Sequence, residues 1–244
     1  MKKAVIFLLA VFSFATLFGA WDAQKTDKFL DAMAKAVDPD GNSKNIRTFE
    51  IMTECLIQPV NMKMQSQIFF KIPGKIKSVM SVPNISNTTL YFDGEKGFKV
   101  DTLAGVVPLE GKVLEETKLT ALEMNPVKKL KDIFDKIEID DQMEVRDGKK
   151  YVVVNCYPKP SSGLFPKKYL VDPQSKLIVY GISKSNTDMG VLEGVTRVLK
   201  FKKMHGVMMA EVVEQTMMNM KVIGTVKYFN VNTEYPDSFF EYKE

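Results

Sequence analysis

The stretch VNMKMQSQIFFKIPGKIKSVMSV, residues 60–82, decides the fold class. Val60, Met62, Met64, Ile68, Phe70 and Ile72 alternate with Asn61, Lys63, Gln65, Gln67 and Lys71, and a period of two puts the apolar set on one face of a strand. Pro73-Gly74 interrupts the run, because proline cannot donate to a strand ladder and glycine suits a turn. The alternation then resumes with Ile76, Ser78, Met80 and Val82 against Lys75, Lys77 and Ser81. Two long strands joined by a tight turn, each polar on one side, describe an antiparallel sheet with one buried face.

Working outward, Phe49, Ile51, Cys55 and Ile57 alternate with Glu50, Glu54 and Gln58, and Asp93-Gly94 separates TTLYF (88–92) from GFKVD (97–101) as in a hairpin. The first half therefore reads as a meander. Ahead of it, Phe29, Leu30, Met33 and Val37 share one face of a helix predicted over Asp22–Val37, stopped by Asp38-Pro39-Asp40-Gly41-Asn42. Between Leu109 and Asp135 the spacing is again helical and predicts two short helices broken at Asn125-Pro126. Strands return from Ile137 to Arg146, Tyr151 to Tyr157, Lys168 to Val171 and Leu177 to Ser183, followed by three more runs ending near Val231. About ten strands result. No linker, fixed-period repeat or low-complexity tract divides the chain, so 21–244 reads as a single domain.

Composition narrows the function. The 244 residues are 45% hydrophobic and 26% charged, enough for one substantial core and too apolar for disorder. The net charge of +4 is not gathered into a basic block, which argues against nucleic acid. One histidine, His205, and two distant cysteines supply few bases and soft ligands, so no catalytic residue, metal site or cofactor is assigned. His205, next to Gly206 in KKMHGV, reads as a turn residue.

Residues 1–20 read as a cleaved export signal: Met1-Lys2-Lys3, an uncharged apolar run from Ala4 to Phe18, and the small pair Gly19-Ala20. Export takes the protein to the periplasm, where a Cys55–Cys156 disulfide is chemically permitted; two separate buried thiols are the alternative.

The methionine content hints at what the sheet encloses. A filled core favours Leu, Ile and Val, yet the chain carries 15 Met, clustered as Met62/Met64, Met208/Met209 and Met217/Met218/Met220. Methionine adapts to changing contents, but it also fills gaps in an ordinary core.

Five fragments, in order, resemble the LolA/LolB-like periplasmic carriers and outer-membrane lipoprotein-sorting proteins. They are FFKIPGKIKSVM (69–80), TTLYFDGEKGFKVD (88–101), GKKYVVVNCYPK (148–159), YLVDPQSKLIV (169–179) and VKYFNVNTEYPDSFFE (226–241). The resemblance implies an α+β, mainly β fold: a curved antiparallel sheet forming an unclosed barrel, covered by helices around an apolar cavity. It implies a non-enzymatic carrier of lipid or lipoprotein acyl chains, acting in outer-membrane lipoprotein sorting. Inner-membrane releasing proteins and outer-membrane acceptor proteins are its implied partners. The chain departs from the family at Ile72, which stands where the carriers have an arginine latch before the proline. Lys71 cannot replace it, since alternation turns Lys71 to the other face.

The expected lipid-binding set is Phe49, Ile51, Met62, Met64, Ile68, Phe70, Ile76 and Met80 from the strands, closed by Leu119, Leu122, Ile133 and Phe134 from the helices. Each of these positions is equally compatible with plain core. The alternative function is an envelope regulatory or scaffold protein that uses an exposed sheet edge to bind a protein partner.

Overall fold

The computed structural model describes residues 21–83, 85–187, 190–218 and 220–243; the export signal read over 1–20 lies outside the described residues. Helix α1 (Ala23–Val37) starts where Asp22 caps it, the Asp22 carboxylate accepting the Lys25 N–H at 2.7 Å. It ends at Asp38, whose two carboxylate oxygens accept the N–H groups of Asn42 and Ser43 at 2.7 and 3.0 Å. Burial opposes the charge of Asp38, but the hydrogen bonds from Ser43, Asn42 and Gly41 outweigh it and hold the carboxyl below its ordinary value.

The first half of the sheet runs through β1 (Thr48–Gln58), β2 (Met62–Lys71), β3 (Lys75–Val82), β4 (Ser86–Phe92), β5 (Gly97–Asp101) and β6 (Gly105–Pro108). Helices α2 (Gly111–Met124) and α3 (Leu130–Ile133) follow. The second half comprises β7 (Lys136–Ile139), β8 (Glu144–Arg146), β9 (Lys149–Tyr157), β10 (Lys167–Val171), β11 (Ile178–Thr187), β12 (Gly190–Met204), β13 (Val207–Met217) and β14 (Met220–Val231). The strand order is β6-β5-β4-β3-β2-β1-β14-β13-β12-β11-β10-β9-β7, with β8 pairing on β9, and every pairing is antiparallel. The path does not close, so the fold is the mainly β, unclosed, helix-covered sheet expected from the sequence.

Fourteen strands replace about ten. Strand β6, GVVP, is too short to show alternation, and all four residues are exposed. The run read as one strand from Ile137 to Arg146 divides into β7 and β8. Between them the Asp140 N–H still donates to the Val153 carbonyl at 3.0 Å while its carboxylate accepts Asn155 Nδ2 at 2.8 Å, and Asp141 accepts the Trp21 N–H at 3.0 Å. Strand β2 begins at Met62, because Pro59, Val60 and Asn61 form the hairpin tip and Asn61 is left-handed (φ 52°). The disulfide does not form. Cys55 on β1 and Cys156 on β9 are free thiols, on strands separated in the sheet by β14 to β10.

Two apolar clusters fill the concave side. In one, Phe29, Leu30 and Met33 of α1 pack with Leu119, Ile133 and Phe134 over Ile139, Val152, Val154, Cys156 and Val171. In the other, Phe49 stacks on Phe70 at 4.9 Å and tilts against Phe229 at 5.7 Å, joined by Ile46, Ile76, Phe92, Val207 and Ala121 of α2. Helix α2 spans both clusters, with Leu119 in one and Ala121 in the other.

After β14 the C-terminal segment straps the outer face. Asp237 bridges Lys71 (2.7 Å) and Lys75 (3.0 Å), and Phe239 meets Phe69 at 5.0 Å. Lys71 is therefore committed to the outside, as alternation requires, while Ile72 packs against the Phe49–Phe70 cluster.

Candidate ligand-binding cavity

A cavity of about 600 Å³ lies over β10–β13 and beneath the helices. Its floor is Tyr169, Leu177, Ile178, Val198, Phe201, Met208 and Ala210. One wall is the α1 stripe of Leu30, Met33, Ala34 and Val37; the other is Pro126, Val127, Leu130 and Ile133, where the chain passes from α2 into α3. The volume is in the usual range for a small-molecule site, and the lining is mostly aliphatic.

Charged groups interrupt this lining at Asp31, Lys35, Asp38, Glu123, Lys128, Lys129 and Lys176. At the mouth, Asp31 of α1 pairs with Lys129 at 2.9 Å and Lys131 at 3.6 Å, an ion pair that spans the gap between the two walls. The hydrogen bond from Lys129, then the charges of both lysines, hold Asp31 below the ordinary carboxyl range. Lys35 and Lys128 line the same mouth. In one corner, Glu123 accepts the Tyr169 hydroxyl at 2.7 Å and Lys167 Nζ at 2.6 Å. Burial, then the Glu123 charge, push the Tyr169 phenol well above its ordinary value, so it stays a hydrogen-bond donor. This arrangement can hold an apolar chain and orient a polar group, but it presents no activated nucleophile.

The twelve residues expected from the sequence separate into three places. Ile133 lines the cavity, and Leu119, Leu122 and Phe134 pack directly behind that wall. Phe49, Ile51, Ile68, Phe70 and Ile76 belong to the aromatic cluster that fills the other half of the concave side. Met62, Met64 and Met80 share the concave face by alternation but stand beyond the helices, part-exposed, with Met80 at 42%. The floor residues on β11–β13 went unseen because that region carries apolar residues at many successive positions. The usable signals were the α1 stripe itself and the Met208/Met209 pair, of which Met208 lines the cavity and Met209 packs on the aromatic cluster.

The helical cover is held by a residue that the sequence showed only as a break. Asn125, 4% exposed, donates Nδ2 to the Pro73 carbonyl at 3.0 Å and accepts the Val127 N–H at 3.2 Å. His205 occupies its turn with φ 48°, Nε2 lying 3.0 Å from the Phe229 carbonyl oxygen. Among the described residues no group of His, Cys, Asp and Glu is arranged to hold a metal.

Solved structures share this architecture over nearly their whole length. A LolA superfamily protein from Nitrosomonas europaea superposes with a TM-score of 0.56 at 12% identity, covering 88% of this chain and 97% of that one. A putative outer membrane lipoprotein-sorting protein domain from Vibrio parahaemolyticus gives 0.55 at 10% identity, covering 88% and 96%. The chain has a LolA-like fold. A DUF1329 family protein from Desulfovibrio piger is similar to the same extent, with a TM-score of 0.57 at 11% identity, covering 88% and 96%. No family model matches the sequence, and no curated protein does. At these identities the LolA-like likeness is one of fold.

Proposed function

We propose that this protein is a non-enzymatic periplasmic carrier or binding protein, exported by a cleaved signal, that holds the acyl chains of a lipid or lipoprotein. The observation that carries the reading is the apolar cavity between α1, residues 126–133 and β10–β13 on a LolA-like sheet. The description of the Vibrio structure as a lipoprotein-sorting domain supports the same direction. Shielding a chain from water contributes about 0.8 kcal/mol per methylene, so one long acyl chain supplies on the order of 10 kcal/mol before ordering costs. The chain lies against Leu30, Met33, Ile133 and Met208. The part-exposed concave face with Met62, Met64 and Met80 continues the apolar path, and the Phe49–Phe70 cluster walls it. Membrane proteins that load and accept the cargo complete the cycle.

The test is native mass spectrometry of the exported protein, followed by denaturing lipid extraction of the same sample. Co-purifying lipid, and binding of a fluorescent fatty acid to delipidated protein, are expected. Lipid-free protein that binds no fluorescent fatty acid overturns the reading. The free edge of β6, with Val106 and Val107 exposed, is what favours the scaffold alternative. That alternative requires one stoichiometric protein partner and no lipid.

A further inference from the structure

In an antiparallel meander, alternate hairpin tips lie at the same end of the sheet, and here the two ends differ in chemistry. At one end the β1–β2 tip carries Val60, the β3–β4 tip Ile85, the β5–β6 tip Leu103 and the β13–β14 tip Met218, while Val191 stands beside the β11–β12 tip. Each of the five is more than half exposed, and Leu103 reaches 78%. Pro59, Asn61, Pro83, Thr102 and Ala104 beside them are uncharged; Asp101 closes the β5–β6 tip by accepting the Leu103 and Ala104 N–H groups at 2.8 and 3.1 Å, and the sequence has Asp188 between β11 and β12.

The turns at the opposite end lack such side chains. They are Ile72–Gly74, Asp93–Lys96, Asp147-Gly148, Asp172–Leu177 and His205-Gly206, and none of them presents an exposed large apolar side chain. Asp93 and Asp172 each accept two N–H groups of their own turns, as Asp101 does in the β5–β6 tip.

Turn geometry does not explain the apolar end. Met218 sits at φ 55°, a conformation that glycine and asparagine adopt at lower cost than methionine. Behind the tips stands a belt of lysines: Lys63 three residues after Val60, Lys221 three after Met218, and Lys184 on β11 below the β11–β12 tip. Lys221 is held by Glu214 at 2.9 Å, and Lys184 by Glu193 at 3.9 Å. A strand rises about 3.3 Å per residue, so three residues place the belt about 10 Å behind the tips. Side chains that enter a bilayer interface go in about 5–10 Å, with lysines left at the phosphates.

We propose that the end of the sheet bearing Val60, Ile85, Leu103, Val191 and Met218 docks on a lipid bilayer, inserting these five side chains into the interface with the lysine belt at the headgroups. Single apolar side chains on separate turns, with lysines at that depth, fit a fluid lipid surface. The concave face with Met62, Met64 and Met80 opens at the same end, which brings the path toward the cavity against the membrane. The docking holds whether or not the cavity carries lipid.

The test is flotation of the exported protein with phosphatidylethanolamine–phosphatidylglycerol vesicles. The wild type is expected to float. The variant V60S/I85S/L103S/V191T/M218N is expected to lose at least about tenfold in vesicle partitioning while keeping its thermal midpoint, since M218N relieves the positive φ. The control E95S/K96S, at the opposite end, is expected to float as the wild type does. L103W is expected to shift its fluorescence to the blue on vesicles. A wild type that stays with the soluble fraction, or a five-site variant that floats equally well, overturns the proposal; a fatty acid titration of the same samples reads the cavity independently.

Discussion

The side-chain amide of Asn125 donates to the carbonyl of Pro73 across 3.0 Å, and this bond joins the end of α2 to the turn between β2 and β3. The Asn125 amide is almost fully buried, so both of its hydrogen bonds are made away from water on its own side. Asn125→Ala leaves the Pro73 carbonyl and the Val127 N–H unpaired and is expected to lower stability by about 1–3 kcal/mol. The urea midpoint measures the loss. An unchanged midpoint would show that the helical cover does not depend on this bond.

Ala34 lines the cavity from α1 without belonging to either buried cluster. Ala34→Trp occupies the cavity in place of a ligand. Fluorescent fatty acid affinity is expected to fall at least about tenfold with little change in thermal midpoint. Equal affinity in the variant would place the ligand elsewhere.

Glu50 on the outer face accepts Gln67 Nε2 (2.6 Å), the Tyr228 hydroxyl (2.6 Å) and the Tyr235 hydroxyl (3.0 Å). Burial raises its pKa, but these hydrogen bonds outweigh burial and set it below the ordinary value of 4.5. A carboxyl depressed in the folded state stabilises at pH above 4.5, and that contribution is lost as pH falls through the folded value. At the alkaline end, burial, then Glu50, push Tyr228 up to about 12. Its contribution is complete below the free tyrosine value of 10 and is lost toward pH 12. Chemical denaturation across pH should show both limbs, and Glu50→Gln should flatten the acid limb. An acid limb of wild-type steepness in the variant would exclude Glu50 as its source.

Burial pushes the Cys156 thiol up to about 12 and also raises Cys55, which is only half-buried. Thiolate is the reactive form, so a thiol reagent is expected to modify Cys55 slowly and Cys156 only on unfolding. Titration in denaturant without reductant should count both thiols. A zero count would reinstate the disulfide.

Much of the fold was legible because its signals are local. The alternation through Met62–Lys71 and the breaks at Pro73-Gly74 and Asp93-Gly94 each specify their own strand and turn. The cavity was less legible because its position depends on where α1 lands. Phe49 and Met208 both lie on apolar strand faces, yet one is stacked against Phe70 and the other is left lining space. That difference arises from packing across more than 150 positions of sequence, beyond the reach of any periodicity. Asn125 was hidden for a related reason: asparagine before proline ordinarily marks a break, and its partner is 52 residues away.

The pairing of β1 with β14 sets the order in which the molecule can be completed. Phe49 lies opposite Val231 and Gln58 opposite Lys221, so the earliest strand is sealed by the last. Each half of the sheet, β1 to β6 and β7 to β14, can zip up from neighbouring hairpins, but the seam between them waits for the final strand to arrive. The two halves thus stay unlocked from one another until β14 has been made, and the last hairpin fastens the first strand.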